Sequence, residues 1–187
     1  EPSRFDGAME HLETAAQALA PLRVPVMRKD FLVDPYQVLE ARVAGAGGVL
    51  VILRMLPRRE LEALVTSAGE LGLFVLLEAF DERDLDLANE IVAAEGGRGR
   101  LLVGVNCRDL ATLQIVPRRL IELAGHLPHG VPRVAESGVT TPADARRVAA
   151  VGYDLALVGS ALMTAVDPGA LVLEMLAAAR SAARDGC

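Results

Sequence analysis

Lys29, in the stretch VPVMRKDF, is the only lysine among 187 residues; the other 18 of the 19 basic residues are arginines. A guanidinium keeps its proton in proteins, whereas an ammonium on a flexible stem gives it up when desolvated. The one lysine is therefore a candidate acid, base or Schiff-base former, or else a residual surface cation. Composition leaves both readings open, so position must decide. Glu78, in LLEAF, is the carboxylate best placed to answer it. An acid and a base across one pocket divide proton-transfer work when their environments separate their pKa values, and a structural ion pair is the alternative. RKD contains a rival partner, since Asp30 can hold Arg28 or Lys29. Asn106, in GVN, can orient a hydroxyl or carbonyl, or tie a loop. Arg108 can clamp a carboxylate bidentately or pair with Asp109.

A second group of residues has anion-binding chemistry. Ser137 and Gly138 of ESG, and Gly159 and Ser160 of VGSALM, offer glycine-permitted backbone amides, hydroxyls and a helix start, the usual means of holding phosphate. Each loop alone reads equally well as an ordinary turn; two in succession favour phosphate. Phe31, Leu53, Met55 and Phe80 can supply apolar contacts for a planar ligand, with packing the plainer reading of each.

The elements that must position these residues alternate regularly. VPVM (24–27) precedes DPYQVLEARVAGA, with Asp34 as N-cap, Pro35 at the first helical position and Gly45 near the C-cap. VLVIL (49–53) leads to PRRELEALVTSAGELG, with Leu61, Leu64, Val65, Ala68 and Leu71 on one face. LFVLLEAF (73–80) leads to DERDLDLANEIVAAEGG, capped by Asp81, with Leu85, Ala88, Ile91 and Val92 on its stripe. LLVGVN (101–106) leads through RDLATLQI to VPRRLIELAGHLP. PRVAES (132–137) leads to TPADARRVAAVG, and LALVG (155–159) through the loop SALMTAVDPG to ALVLEMLAAARSAARD. A helical segment, GAMEHLETAAQALA, precedes the first strand.

Strands that read as continuous apolar runs are buried on both faces, as in a parallel sheet wrapped in helices. The chemistry-bearing residues follow the strands in turn: Lys29 the first, Glu78 the third, Asn106 the fourth, Glu136 and Ser137 the fifth, Ser160 the sixth. Several strands delivering one group each to a common rim is the habit of a (β/α)₈ TIM barrel, whereas an open doubly wound sheet gathers its site at one switch point. The α/β barrel is the expectation, represented by six βα units in one domain spanning residues 1–187. A barrel has eight strands and typically about 250 residues. The chain is thus expected to be N-terminally incomplete, because an open remnant exposes two long hydrophobic edges.

Composition narrows the function. With 52% hydrophobic and 3% aromatic residues and a net charge of −6, the chain has a sizeable core but no basic stripe or aromatic platform for nucleic acid. No apolar run approaches the ~20 residues that span a bilayer, and EPSRFDGAME is too polar for a signal peptide, so no membrane association and a cytoplasmic location are expected. Cys107 and Cys187 form no ligand spacing and His11, His126 and His129 are scattered, so no disulfide, metal or other cofactor is expected.

The sequence resembles indole-3-glycerol phosphate synthase, through VPVMRKDFLVDPYQVLEARVAGA, LLEAFDERDL, VGVNCRDLATL, RVAESGV and LVGSALM, in that family's order and spacing. The resemblance runs from about residue 4 to the C-terminus. It implies a (β/α)₈ lyase that ring-closes 1-(2-carboxyphenylamino)-1-deoxyribulose 5-phosphate to indole-3-glycerol phosphate, losing CO₂ and water. By motif it makes Lys29 the general acid, Glu78 a base or electrostatic partner, and Asn106 and Glu136 active-site residues, with Arg108 a substrate contact. Ser137, Gly138, Gly159 and Ser160 form the phosphate cradle, and Phe31 packs on the anthranilate ring. It also leaves room for fusion to, or association with, another tryptophan-pathway enzyme. The family's Glu-Val-Lys-Arg-type first strand and Ser-Pro-Ser loop have no counterpart here. EPSRFDGA resembles its second-strand exit, with Ala8 for the usual serine; Phe80 replaces a histidine and Cys107 an asparagine. Two readings stay beside it: another phosphate-binding barrel enzyme, such as a phosphoribosyl isomerase or thiazole-type synthase, and a non-catalytic partial barrel that pairs through its edges.

Overall fold

The computed structural model describes residues 6–95, 100–110 and 112–185. Cys187 and the EPSRF segment lie outside them. In order the elements are α1 (Met9–Leu19), β1 (Met27–Arg28), α2 (Pro35–Val43), β2 (Gly48–Ile52), α3 (Arg58–Glu70), β3 (Phe74–Ala79), α4 (Glu82–Glu95) and β4 (Leu101–Asn106). They continue with α5 (Arg118–Glu122), β5 (Arg133–Glu136), α6 (Pro142–Ala150), β6 (Leu155–Leu157), α7 (Ser160–Thr164) and α8 (Pro168–Asp185). The chain divides into two compact units, Glu1–Glu78 with Glu90–Leu102, and Ala79–Asn89 with Val103–Cys187.

In the first unit β1, β2 and β3 run parallel, with Met27 opposite Gly48 and Ile52 opposite Glu78. All five residues of β2 are buried, as a strand covered on both faces requires. Helix α3 turns Leu61, Leu64, Val65 and Ala68 inward, while Leu71, expected on that stripe, becomes the partly exposed C-cap. Strand β1 is displaced from the expected 24–27 to Met27–Arg28. Pro25 has no N–H to give to a ladder, and pairing begins only after Val26, whose carbonyl accepts from Gly47 N at 2.8 Å. The helix starts follow local rules. Asp34 accepts from Tyr36 N at 2.8 Å, and Gln37 Oε1 reaches back to Asp34 N at 3.1 Å, closing a capping box before α2.

In the second unit β4, β5 and β6 are parallel, and Asn106 pairs in register with Glu136. Asp81 accepts from Asp84 N at 3.0 Å, the expected cap of α4. The long helix expected after β4 instead stops at Glu122 and gives way to a 3₁₀ turn, Ala124–His126, where Gly125 and then Pro128 disfavour continuation. SALMT, expected as loop, forms the five-residue α7, in keeping with the helix preference of Ala, Leu and Met. Strand β6 departs from the buried pattern, with Leu155 and Ala156 exposed. Beside it an apolar cavity of about 330 Å³ lies among Val148, Tyr153, Leu155, Leu162, Met175 and Leu176. Val172 and Leu173 of α8 are exposed as well. No helix among the described residues is long and apolar enough to cross a membrane.

The start of α6 makes a testable case. Asp144 Oδ2 accepts from Thr140 N, Thr140 Oγ1, Thr141 N and Thr141 Oγ1 at 3.2, 3.0, 3.0 and 2.8 Å. Burial pushes this carboxyl up, but the Thr141 hydroxyl and Thr140 N–H outweigh it and hold it below its ordinary 3.8. A carboxyl depressed on folding stabilises above its ordinary value and loses that contribution as pH falls through the folded one. Asp144→Ala is therefore expected to cost about 1 kcal/mol at pH 7. In urea unfolding the difference from the parent chain should shrink toward pH 3; an undiminished gap there would refute the carboxylate's part.

Candidate functional site

In the first unit the single lysine meets its expected partner. Lys29 follows β1, Glu78 is the penultimate residue of β3, and β2 lies between those strands. Neighbouring strands are ~4.8 Å apart, so the lysine side chain must extend over β2 to reach Glu78. It does so: Lys29 Nζ donates to Glu78 Oε2 at 2.7 Å. The two ends differ in environment. The lysine side chain is 48% exposed and the glutamate side chain 1%. A ligand can reach the amine while its carboxylate partner stays shielded, the asymmetry that proton transfer uses.

Arg28 answers the rivalry within RKD. Its Nε and Nη2 donate to Asp30 Oδ2 at 3.3 and 3.2 Å. Asp30 Oδ1 accepts from Phe31 N at 2.9 Å. Burial pushes the Asp30 carboxyl up, while the Phe31 N–H and the Arg28 guanidinium pull it down. Phe31 itself is half-buried at the exit of β1, beside a cavity of about 1020 Å³ that Lys29 also lines. Of the other apolar rim candidates, Leu53 is buried in a 3₁₀ turn and Phe80 is buried, its N–H held by Asp84 Oδ2 at 2.8 Å, so both are packing residues; Met55 is partly exposed.

In the second unit the ends of β4 and β5 stand side by side. Asn106 and Glu136 are buried, 4% and 1% exposed. Asn106 Oδ1 accepts from Arg108 N at 2.8 Å, which commits the carbonyl side of the amide and leaves its NH₂ to donate elsewhere. The Arg108 side chain turns to its own loop, donating to Leu113 O at 3.2 Å. After Glu136 the chain bends through two successive left-handed residues, Ser137 at φ 63 and Gly138 at φ 71. Such a turn can present consecutive backbone N–H groups to an anion. A Cβ on Gly138 would stand 2.6 Å from Cys107 Sγ, whereas one on Gly159 would meet nothing within 4 Å. Ser160 opens α7, next to Gly159. Cys107 is buried and free; burial pushes its thiol up, against the nearby Arg119 and Arg108.

The family model of indole-3-glycerol phosphate synthase matches residues 1–175. The chain belongs to that family. The indole-3-glycerol phosphate synthases of Parafrankia sp. (strain EAN1pec) and Mycolicibacterium smegmatis are 39% and 38% identical to it over 178 residues. The match takes in 95% of this chain, which spans 63% and 62% of the length of those two relatives. Among solved structures, 3-hexulose-6-phosphate synthase from Salmonella typhimurium superposes with a TM-score of 0.70 at 17% identity, covering 94% of this chain and 81% of that one. 3-Keto-L-gulonate-6-phosphate decarboxylase from Vibrio cholerae gives a TM-score of 0.70 at 16% identity, covering 95% and 81%. At such identities the likeness shows the fold alone, which is the α/β, TIM-barrel type expected from the strand pattern. Among the described residues, no group of three His, Cys, Asp or Glu is placed to hold a metal ion.

One residue at the site escaped the sequence. Arg119 of α5 donates through Nη1 to Asn106 O at 3.0 Å, fixing the strand end that carries the amide. In VPRRL it looks like any solvent-facing cation, and no spacing rule marks it.

Proposed function

We propose that the protein to which this chain belongs is an indole-3-glycerol phosphate synthase, closing the ring of 1-(2-carboxyphenylamino)-1-deoxyribulose 5-phosphate with loss of CO₂ and water. The observation that carries the reading is the 2.7 Å contact between the chain's one amine and a carboxylate 1% exposed. In this reading Lys29 gives its proton to the ribulose carbonyl oxygen as the ring carbon attacks, so that the carbonyl becomes a hydroxyl, and Glu78 stabilises the ammonium or takes the proton back. The ring then loses its carboxyl group as CO₂, and the new hydroxyl takes up a proton and leaves as water while the adjacent ring carbon gives up its proton to a base, forming the indole double bond. The buried Glu136 and the donating face of Asn106 serve this chemistry, Arg108 contacts substrate, and Phe31 packs against the anthranilate ring. The left-handed turn at Ser137 and Gly138, with Gly159 and Ser160, holds the phosphate. No cofactor is used. A cytoplasmic location and association with, or fusion to, another tryptophan-pathway enzyme complete the proposal.

The native protein is expected to convert this substrate to a product with indole absorbance. Turnover instead of a ketose phosphate that lacks the anthranilate ring would replace the reading with a different phosphate-binding barrel activity.

Gly159 separates the phosphate reading from a turn without function. Because a Cβ there meets no atom within 4 Å, Gly159→Ala should change unfolding free energy by less than about 0.5 kcal/mol. The methyl group would stand where the phosphate is placed and weaken the phosphorylated product roughly tenfold, the lower end of what one methylene costs in a fitted pocket. Unchanged affinity by calorimetry would remove Gly159 from the cradle.

A further inference from the structure

We propose that Arg28 is a positioning residue: it holds the backbone on both sides of Lys29 so that the amine meets Glu78. The proposal deepens the reading of Lys29 as the proton carrier and rests on it. Strand β1 has two residues, so its ladder alone gives little hold on the segment that follows. Arg28 is the second of them, and consecutive strand residues point to opposite faces. Lys29 extends toward Glu78, and Arg28 toward α2.

There the guanidinium, on a side chain 10% exposed, meets acceptors from two directions. Nη1 donates to Gln37 O at 2.8 Å and to Glu40 Oε2 at 3.3 Å, both on α2. Nε and Nη2 converge on Asp30 Oδ2 at 3.3 and 3.2 Å. Asp30 Oδ1 is at the same time bound by Phe31 N at 2.9 Å. Gln37 secures the far end of the loop, its Oε1 accepting from Val33 N at 2.7 Å and from Asp34 N at 3.1 Å. Lys29 therefore sits between two residues tied to each other and to α2. A planar fork can bridge these acceptors together; an ammonium, with three donors at one point, cannot.

In protein labelled with ¹³C-lysine, the Hε–Cε cross-peak of Lys29 is the one that Lys29→Arg removes, in the parent and in each Arg28 background. Its displacement by Glu78→Gln at pH 7 reports the amine–carboxylate contact. In the parent chain a clear displacement is expected. In an Arg28→Met background it should fall to less than half, because the ammonium no longer settles on Glu78. Arg28→Lys keeps the charge but not the fork, and should also show less than half; if it restores the full displacement, the effect was charge alone and the proposal is wrong. A full displacement in Arg28→Met overturns it equally, and if that variant does not fold, Arg28→Lys decides alone. Asp6, Glu10 and His11, which line the cavity with Arg28, Lys29 and Asp30, are present in every variant and cancel in the difference. The measurement involves no substrate, so failure of ring-closing activity would count against the proposed function and leave this result standing.

Discussion

Lys29→Arg is expected to lower ring-closing turnover of the native protein by about 10²–10⁴-fold, the usual contribution of a general acid. The substitution is chosen because it changes little else. Arginine keeps a positive charge within reach of Glu78, so a carboxylate 1% exposed is not left without a cation, and stability should hold. What is lost is the proton, since a guanidinium releases none under these conditions. Lys29→Met would confuse the two effects, because removing one partner of a shielded pair leaves the other charge uncompensated. Steady-state kcat measures the first effect and calorimetric binding of the phosphorylated product the second. Near-normal turnover in the arginine variant, with binding intact, would take Lys29 out of the reaction.

Gly138→Ala is the second large effect, and it falls on stability. Two costs coincide at this position. An L-residue at φ 71 pays roughly 1 kcal/mol for the left-handed conformation, and the new Cβ would stand 2.6 Å from Cys107 Sγ and 3.3 Å from Ile115 Cγ2. Forcing a methyl into packed surroundings adds about 1–3 kcal/mol, so a total near 3 kcal/mol is expected by chemical denaturation. Combining it with Cys107→Ala removes the sulfur and should return the packing part while the backbone part persists. If the single variant unfolds like the parent, the turn after β5 is more adaptable than its geometry indicates. The same substitution should weaken phosphate binding through the displaced backbone.

The two glycines show where legibility ended. Gly138 and Gly159 carry the same expectation from sequence, each a small residue between a strand and a helix. In the structure one is required by backbone angle and by a neighbouring sulfur, and the other has open space around its Cα. The sulfur comes from Cys107, 31 positions away along the chain; no local pattern contains that contact. The first strand shows the same division. Its apolar run was visible, but which of its residues pair depended on Pro25, and the pairing moved to Met27–Arg28. Of the cations, Lys29 stood out by type, while Arg28 and Arg119, which donate to the carbonyls of Gln37 and Asn106, are written in the same letter as 16 others.

The residues alone determined the alternation of strands and helices, the caps at Asp34 and Asp81, the span of β4 and the family, because each depends on interactions between residues a few positions apart or on short motifs. Tertiary structure decided that Lys29 crosses a strand to reach a carboxylate 49 positions away, that Asn106 stands in register with Glu136, and that Gly138 cannot be enlarged while Gly159 can. The physical reason is the range of the forces involved. Helix propensity and capping act within one turn of chain, whereas hydrogen-bond geometry and packing at a site depend on which distant segments the burial of apolar strands has brought together.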